Sequence, residues 1–507
     1  MNEPVDVLIF EAAWSYITQT TTDVQLNEKH GGISFNGDRT SYPSRFIGPS
    51  KIAQRIRQGG YTCQVISFVH FLTQEQLTNI IDKFVGPRTI IGISSTFANG
   101  RGCKAIAHFM RNVIGPKLTS SNKTIIGGPS AHIWSKVVEK NGYVFDHIIV
   151  SFAENKILPV IDKIKNFGLS KKVVAQWDIQ SCQHRWHPSS LIHQNESLPL
   201  ECARGCIFEC KFCRFTMLGK KKGTYVRDIN YIRDEMLYNY DHFGTTNYML
   251  TDDTFNDTPE KVEAWADMVA TLPFEIQYVT YLRVDLIHRF PHTAKLLQDS
   301  GLIATHFGIE SLTEKASNLI GKAWSGKHAR DYVPELTKNI WSDKINVFIS
   351  LIAGLPHETP EDWQRAGEWA VKNDLSAYYA TLGIEKFRNN YQGIWNEDER
   401  EGISYFDIHA EEYGYKFVQH KGQSMWILGN MTERDVARQV APLNDYFDKN
   451  CRVTAWGTME LMSLGLDRQY ILDNPRNVVY NNKEFDLLKK DFVEKYYQQV
   501  MNYDLSS

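Results

Sequence analysis

Short apolar runs separated by stretches with helical spacing recur along most of this chain, and that alternation constrains the fold more than any other feature. VDVLIF (residues 5–10), TCQVISF (62–68), TIIGISS (89–95), KTIIGG (123–128) and DHIIVSF (146–152) are short, rich in β-branched residues and bounded by turn formers. Strands buried on both faces have this character. Between the first two, KIAQRIRQGG (51–60) carries apolar residues at helical spacing and ends on glycine, a helix stop. Strand, helix, strand with short connections predicts a parallel α/β sheet, a doubly wound Rossmann-like domain over residues 1–165. Such sheets take ligands beyond the carboxyl ends of their strands, where GISSTFANG and GGPSAH fall.

Residues 166–195 hold Pro188, Ser189, Ser190 and polar positions without a clear period, which predicts a linker. From Leu198 the alternation resumes through LPLECARG, NYMLTDD, EIQYVTYLR, ATHFGIES and INVFISLIAGLP, most of them separated by helical stretches. Five or more parallel strands predict a partial (β/α) barrel over residues 196–385, with chemistry at the carboxyl ends of its strands. Beyond about residue 385 aromatics become frequent, and 432–447 and the last stretch have helical spacing. A third, mainly α-helical region over 386–507 is the expectation. A chain of 507 residues is long enough for two or three such cores.

The formal net charge of −3 offers no global attraction for nucleic acid. The lysine run Lys220, Lys221, Lys222 reads as a solvated loop. No apolar window reaches the length that spans a bilayer, and the start MNEPVDVLIFEAAW lacks the basic region and cleavage site of a secretory signal, so a cytoplasmic protein is expected. Four of the eight cysteines crowd into residues 202–213. In a reducing compartment that crowding points to metal rather than to disulfides.

Within CIFECKFC, Cys206, Cys210 and Cys213 stand in C-x3-C-x2-C spacing just after a predicted strand. One short loop can bring three thiolates onto three irons of a cubane and leave the fourth iron open, whereas electron-transfer clusters usually have every iron held by cysteine. Cys202 is the alternative fourth ligand and would close the site. A zinc site more commonly uses paired C-x2-C elements or histidines, and a set of plain buried thiols is the bland alternative.

The loop, with Phe212 beside its last cysteine, resembles the radical S-adenosylmethionine (SAM) enzymes. The likeness extends in order through TDDTFN (251–256), YLRVD (281–285), FGIES (307–311), Gly321 with Lys322, and AGLPHETPEDW (353–363). It is closest to the subgroup in which a cobalamin-binding domain precedes the radical SAM barrel. The resemblance implies that Cys206, Cys210 and Cys213 hold a [4Fe-4S] cluster that cleaves SAM reductively to a 5′-deoxyadenosyl radical. SAM needs acceptors for its amino group and ribose, a donor for its carboxylate and an apolar slot. Asp252 and Asp253, Arg283, Glu310, and Gly354 with Leu355 stand at successive strand ends in those roles, each with a plain structural role as the alternative.

The segments GPSKIAQRIRQGGYTCQVISF, IIGISSTF, IIGGPSAH and DHIIVSFAEN likewise resemble the cobalamin module, which puts Ser94, Ser95, Thr96, Gly127, Gly128 and Glu154 at the corrinoid. The D-x-H-x-x-G element is absent, and SFAEN (151–155) replaces a glycine-rich turn with Phe152 and Ala153. With cobalamin bound, the resemblance implies methylation of an unactivated carbon or phosphorus centre. With that domain empty, it implies cyclisation, rearrangement or epimerisation. An iron-sulfur carrier or scaffold is the non-enzyme alternative. The implied partners are a small-molecule or peptide substrate and an electron donor such as flavodoxin or ferredoxin, without membrane or nucleic acid. The aromatic C-terminal region, with Cys451 as a candidate hydrogen donor, is expected to shape the substrate pocket.

Overall fold

The computed structural model describes residues 4–14, 43–96, 100–131, 134, 143–150, 152–165, 172, 174–213, 224–322, 324, 326–384, 404–420 and 423–504. The lysine run at 220–222 and Ser151 lie outside them. Contacts divide the chain into two units, one of residues 1–194 and 483–507 with 241–243, the other of 195–240 and 244–482. No helix among the described residues is long and apolar enough to cross a membrane.

The first unit is built on a five-stranded sheet of β1 (Val7–Phe10), β2 (Cys63–Ile66), β3 (Ile90–Ser94), β4 (Lys123–Gly127) and β5 (His147–Ile148). Its order is β2-β1-β3-β4-β5, and every neighbouring pair is parallel. Alternate residues Val7, Ile9, Val65, Ile90 and Ile125 face helices α1 (Ile47–Gln58) and α2 (Ile157–Ile164), whose Ala53, Ile56, Ile157 and Ile161 complete that core. Phe10 looks to the other face, with its ring 5.3 Å from that of Phe109.

Two boundaries differ from the sequence-based expectation. The described part of the stretch expected as a linker packs on α1 and β2: Arg55 of α1 donates to the Ala175 carbonyl (2.7 Å), Gln64 of β2 to the Ser189 carbonyl (2.9 Å), and His184 meets Gln54 of α1 (3.0 Å). Its polar residues have partners within the fold, which a reading for loop composition cannot see. The last helix (Lys483–Asn502) also belongs to this unit rather than to the C-terminal region. Its Phe492 and Tyr496 rings pack on Phe68, and Tyr496 Oη accepts the Ser67 N–H at 2.8 Å. Lys83 donates to the carbonyls of Val500, Met501 and Tyr503, a cation placed on a helix C-terminus.

The second unit is a sheet of six strands: β6 (Leu198–Leu200), β7 (Asn247–Leu250), β8 (Gln277–Leu282), β9 (Leu302–Glu310), β10 (Asn346–Ala353) and β11 (Ser376–Thr381). They lie side by side in chain order and all pair in parallel, a partial barrel open between β6 and β11. Helix α3 (Ile229–Phe243) follows β6, and α4 (Pro259–Ala270) follows β7 and puts Trp265 against Tyr278 on one face of the sheet. On the other face Met249, Val279 and Ala304 enclose Ala455 and Met459 of α5 (Ala455–Ser463). Burying a side chain such as Met459 there contributes roughly 1.5–3 kcal/mol. The region beyond the barrel is not only helical. Strands β12 (Tyr415–His420), β13 (Gln423–Leu428) and β14 (Met431–Thr432) form an antiparallel sheet.

Candidate functional site

The three cysteines lie in the loop that leaves β6, and the chain holds both ends of that loop. Cys202 and Ala203 donate their backbone N–H groups to Asp252 Oδ1 (2.8 and 3.0 Å), while Arg227 and Arg204 return backbone bonds to Cys202 and Tyr225. Asp252 is 1% exposed, and its second oxygen pairs with Lys261 Nζ at 2.6 Å. Lys261, on α4, also faces Asp257 at 3.5 Å, and Tyr225 donates to Asp257. Arg227 pairs with Glu235 at 2.7 Å, fully buried. Backbone amides and an ammonium thus meet both carboxylate oxygens of Asp252, the residue expected to accept from the amino group or ribose of SAM. Cys202 stands among these charges, and burial pushes its thiol well above the ordinary range.

Further along the loop, Cys206 Sγ lies 3.4 Å from Thr254 Oγ1, Cys210 is buried, and the Cys213 N–H donates to the Cys210 carbonyl at 2.9 Å. Phe212 and Cys213 are half-buried. Burial raises the Cys206 thiol against the opposing bonds from Thr254 and the Phe208 backbone. The loop is docked from outside by residues that the motif does not contain. The Lys211 N–H donates to Ile320 O (3.1 Å), its carbonyl accepts from Phe406 N (3.0 Å), and its ammonium donates to Tyr413 Oη (2.9 Å). Gly321 has φ +82°, and a Cβ there would stand 3.5 Å from the Glu209 carbonyl and 3.9 Å from Cys210 Cα. A methyl group fits that space, so the cost of Gly321→Ala is conformational, about 1–2 kcal/mol. The expected outcome is a lower unfolding midpoint and reduced iron uptake on reconstitution, read by colorimetric iron assay.

Arg283, at the end of β8, does not present a free guanidinium. Nε and Nη2 bind Asp285 (3.0 and 2.8 Å), Nη1 approaches Cys210 Sγ at 3.7 Å, and the guanidinium carbon lies 4.0 Å from the centre of the Phe208 ring. The expected carboxylate clamp is thus already engaged within the protein. Glu310 ends β9 in the left-handed region at φ +64°, a conformation that costs a non-glycine residue about 1–3 kcal/mol. Lys322 lies 3.4 Å from its Oε1, and Ser350 donates to Oε2 at 3.5 Å. Burial raises the carboxyl against the pull of Lys322. Gly308 makes this arrangement possible, since a Cβ there would meet Glu310 Oε1 at 2.4 Å.

Asp253 is exposed and acts on the Cys206 thiol electrostatically. Gly354 has φ +95°, and Trp426 of β13 fills the space over it, 2.6 Å from where a Cβ would lie; Leu355 is fully buried. That indole therefore lies directly over Gly354, one of the two residues expected to line the adenine slot.

Glu358 joins the ends of β9 and β10, accepting from Ser311 Oγ (2.5 Å) and Trp363 Nε1 (2.9 Å). Burial pushes its carboxyl up to about 7 despite those bonds. A raised acid contributes stability that is full below its unfolded pKa and is lost as pH rises through the folded value. The wild type should therefore lose about 2–3 kcal/mol between roughly pH 4.5 and 7.5 relative to Glu358→Gln, as read from urea midpoints across that range. Parallel curves for the two proteins would show that residue 358 does not titrate there.

In the first unit, the strand order places the switch point between β1 and β3, where Trp14 Nε1 donates to the Ser94 carbonyl at 2.6 Å. Ser94 and Gly127 pair in register at adjacent strand ends, with Ser94 Oγ 2.9 Å from Thr96 Oγ1. Ser95 Oγ accepts from Ser130 N at 3.1 Å, and Gly128, at φ +100°, packs against Ser95. A Cβ on Gly127 would come into ordinary contact with the Ile149 carbonyl at 3.8 Å, so this strand end is small without being strained. Serine, threonine and glycine thus stand together at the carboxyl ends of β3 and β4, side chains small enough to let a flat macrocycle approach the backbone. Glu154 is buried instead at the start of α2, its carbonyl accepting from Arg55 Nε at 3.2 Å.

The donor set of the cysteine loop suits an iron-sulfur cluster. Three thiolates with no histidine between them are soft ligands. Among the described residues no group of three or more His, Cys, Asp or Glu side chains is close enough to hold one metal ion, whereas ligands of three separate irons stand farther apart than those of a single ion.

Residues 200–370 match the model of the Radical SAM superfamily, and the barrel is a radical SAM domain. Over 362 residues the chain is 21% identical to an uncharacterized methyltransferase, PH0819, of Pyrococcus horikoshii, spanning 67% of this chain and 75% of that protein. The radical SAM methyltransferase TsrM from Kitasatospora setae, solved with cobalamin and a [4Fe-4S] cluster, superposes with a TM-score of 0.55 at 12% identity, covering 86% of this chain and 81% of TsrM. The cobalamin-dependent SAM radical enzyme OxsB, solved with aqua-cobalamin and SAM, gives 0.56 at 13% identity, covering 98% and 72%. At those identities the likeness is one of fold, a Rossmann-like unit with a radical SAM barrel and C-terminal helices.

Proposed function

We propose that this chain, a radical SAM enzyme by its central domain, is a cobalamin-dependent methyltransferase acting on an unactivated carbon or phosphorus centre. The observation that carries the reading is the pairing, in one chain, of a three-cysteine loop at strand ends of a parallel barrel with a β2-β1-β3-β4-β5 unit whose adjacent strand ends are glycine and serine. TsrM and OxsB, which share the fold, were solved with cobalamin.

In this reading Cys206, Cys210 and Cys213 hold the cluster, and Ser94, Ser95, Thr96, Gly127 and Gly128 line the corrinoid. When bound, the cluster supplies the electron that cleaves SAM, and cobalamin supplies the methyl group. The chain's own residues bind and orient. Asp253, exposed beside Cys206, accepts from the amino group of SAM, and Glu310, held by Lys322 and Ser350, accepts from its ribose. Phe212, half-buried beside Cys213, contributes apolar surface that keeps water from the radical. A flavodoxin or ferredoxin is the proposed electron source.

The test is anaerobic purification and cluster reconstitution, incubation with hydroxocobalamin, desalting, then addition of reductant and SAM. Retained corrinoid absorption with 5′-deoxyadenosine formation is the expected result. SAM cleavage without retained corrinoid would replace methyl transfer with a cyclisation, rearrangement or epimerisation. A protein that takes up no cluster and cleaves no SAM would end the proposal.

A further inference from the structure

Arg283 is fixed more completely than a substrate-binding arginine needs to be. Its backbone N–H donates to Asn256 Oδ1 (2.8 Å) and its carbonyl accepts from Asn256 Nδ2 (2.9 Å), which pins the residue where β8 ends. Asp285 takes Nε and Nη2 in a bidentate fork. Phe208, from the cysteine loop itself, lies under the guanidinium plane. Those contacts leave Nη1, which points at Cys210 Sγ from 3.7 Å. The whole residue is 6% exposed, so water screens this charge little.

We propose that Arg283 positions and tunes the iron-sulfur cluster by donating a charge-assisted hydrogen bond from Nη1 to the Cys210 thiolate, rather than by binding the carboxylate of SAM. The inference rests on the reading of Cys210 as a cluster ligand. Reduction adds negative charge to a cluster and its sulfurs, so a buried cation that donates to one of those sulfurs favours the reduced form and raises the reduction potential. Arginine suits the task because its rigid fork serves Asp285 and the sulfur at once, whereas a lysine ammonium matches neither the fork nor the stack on Phe208.

The experiment is an EPR-monitored redox titration of full-length, cluster-reconstituted wild type, Arg283→Gln and Arg283→Lys without SAM, with SAM affinity measured separately. The expected result is a more negative midpoint in both variants. For Arg283→Gln the reduced-to-oxidised ratio at a fixed donor potential should fall roughly tenfold, equivalent to about 59 mV for one electron. SAM affinity should change less than threefold. An unchanged midpoint with a large loss of SAM affinity would overturn the proposal in favour of the carboxylate clamp. If Arg283→Gln takes up no iron, Arg283→Lys and Phe208→Leu carry the test, and an unchanged midpoint in both rejects it. A wild-type chain that binds no [4Fe-4S] cluster would sink the enzyme reading and this proposal together. That result is distinct from a wild-type cluster whose potential ignores residue 283.

Discussion

Cys210→Ala should leave a folded protein that holds no stable [4Fe-4S] cluster and forms no 5′-deoxyadenosine above background. Two thiolates cannot keep three irons of a cubane, and Cys210 is the buried member of the set, clasped by the Gly321 turn on one side and by Arg283 on the other. The loss in turnover should be on the order of 10³-fold or more, since the cofactor carries the hard chemistry. The control is Cys202→Ala, four residues upstream of Cys206 in the same crowded stretch. Its thiol stands among Asp252, Lys261 and Arg227 instead of at the loop's outer part, so that variant should take up iron as the wild type does. Iron and sulfide analysis with EPR of the reduced protein reads both results. Iron lost from Cys202→Ala and retained by Cys210→Ala would mean that the ligand set has been chosen wrongly.

The second large effect is on stability. Lys261 is the cation between two carboxylates that are 0–1% exposed at their side chains, Asp252 and Asp257. Lys261→Met keeps the length of the side chain and removes its charge, leaving both acids buried without their counter-ion, which costs about 3–5 kcal/mol. The triple variant Lys261→Met, Asp252→Asn, Asp257→Asn removes the whole charge cage and should recover most of that loss. Asp252 alone receives two backbone N–H groups from the start of the cysteine loop, so the triple variant should regain its urea midpoint more fully than its iron uptake. A Lys261→Met protein that unfolds at the wild-type midpoint would show that the cage contributes little.

The parallel sheets are legible in the sequence because strands buried on both faces must be continuous and apolar, and VLIF, CQVI and IIGIS carry that mark plainly. SAYYAT is harder: β11 is an edge strand that exposes Tyr378 and buries Tyr379, so its apolar content is interrupted. The β12–β13 hairpin is hidden for a related reason. YKFVQH and QSMWIL mix polar and aromatic residues, and their aromatics suggest a helical core as readily as a sheet. In the site, the C-x3-C-x2-C spacing is local and can be read directly. The engagement of Asp252 by Lys261 depends on where α4 packs, and that of Arg283 by Phe208 on how the loop folds back, and no spacing rule reports either. Gly321 and Lys322 can be found by motif, but their tasks, seating the loop and holding Glu310, emerge only in three dimensions.

The packing of the Lys483–Asn502 helix on Phe68 and Lys83 has a consequence for synthesis. The unit whose strands leave the ribosome first receives one of its structural helices last, after the entire barrel has been translated. Until then Phe68 lacks its two aromatic partners and the Ser67 N–H lacks the Tyr496 hydroxyl, and at 5–20 residues per second the wait for some 400 further residues is roughly 20–80 s. Vectorial folding is thus inverted here. The barrel can mature while the earlier unit waits, and a chain cut off between the barrel and this helix would carry a finished barrel behind an unfinished first unit.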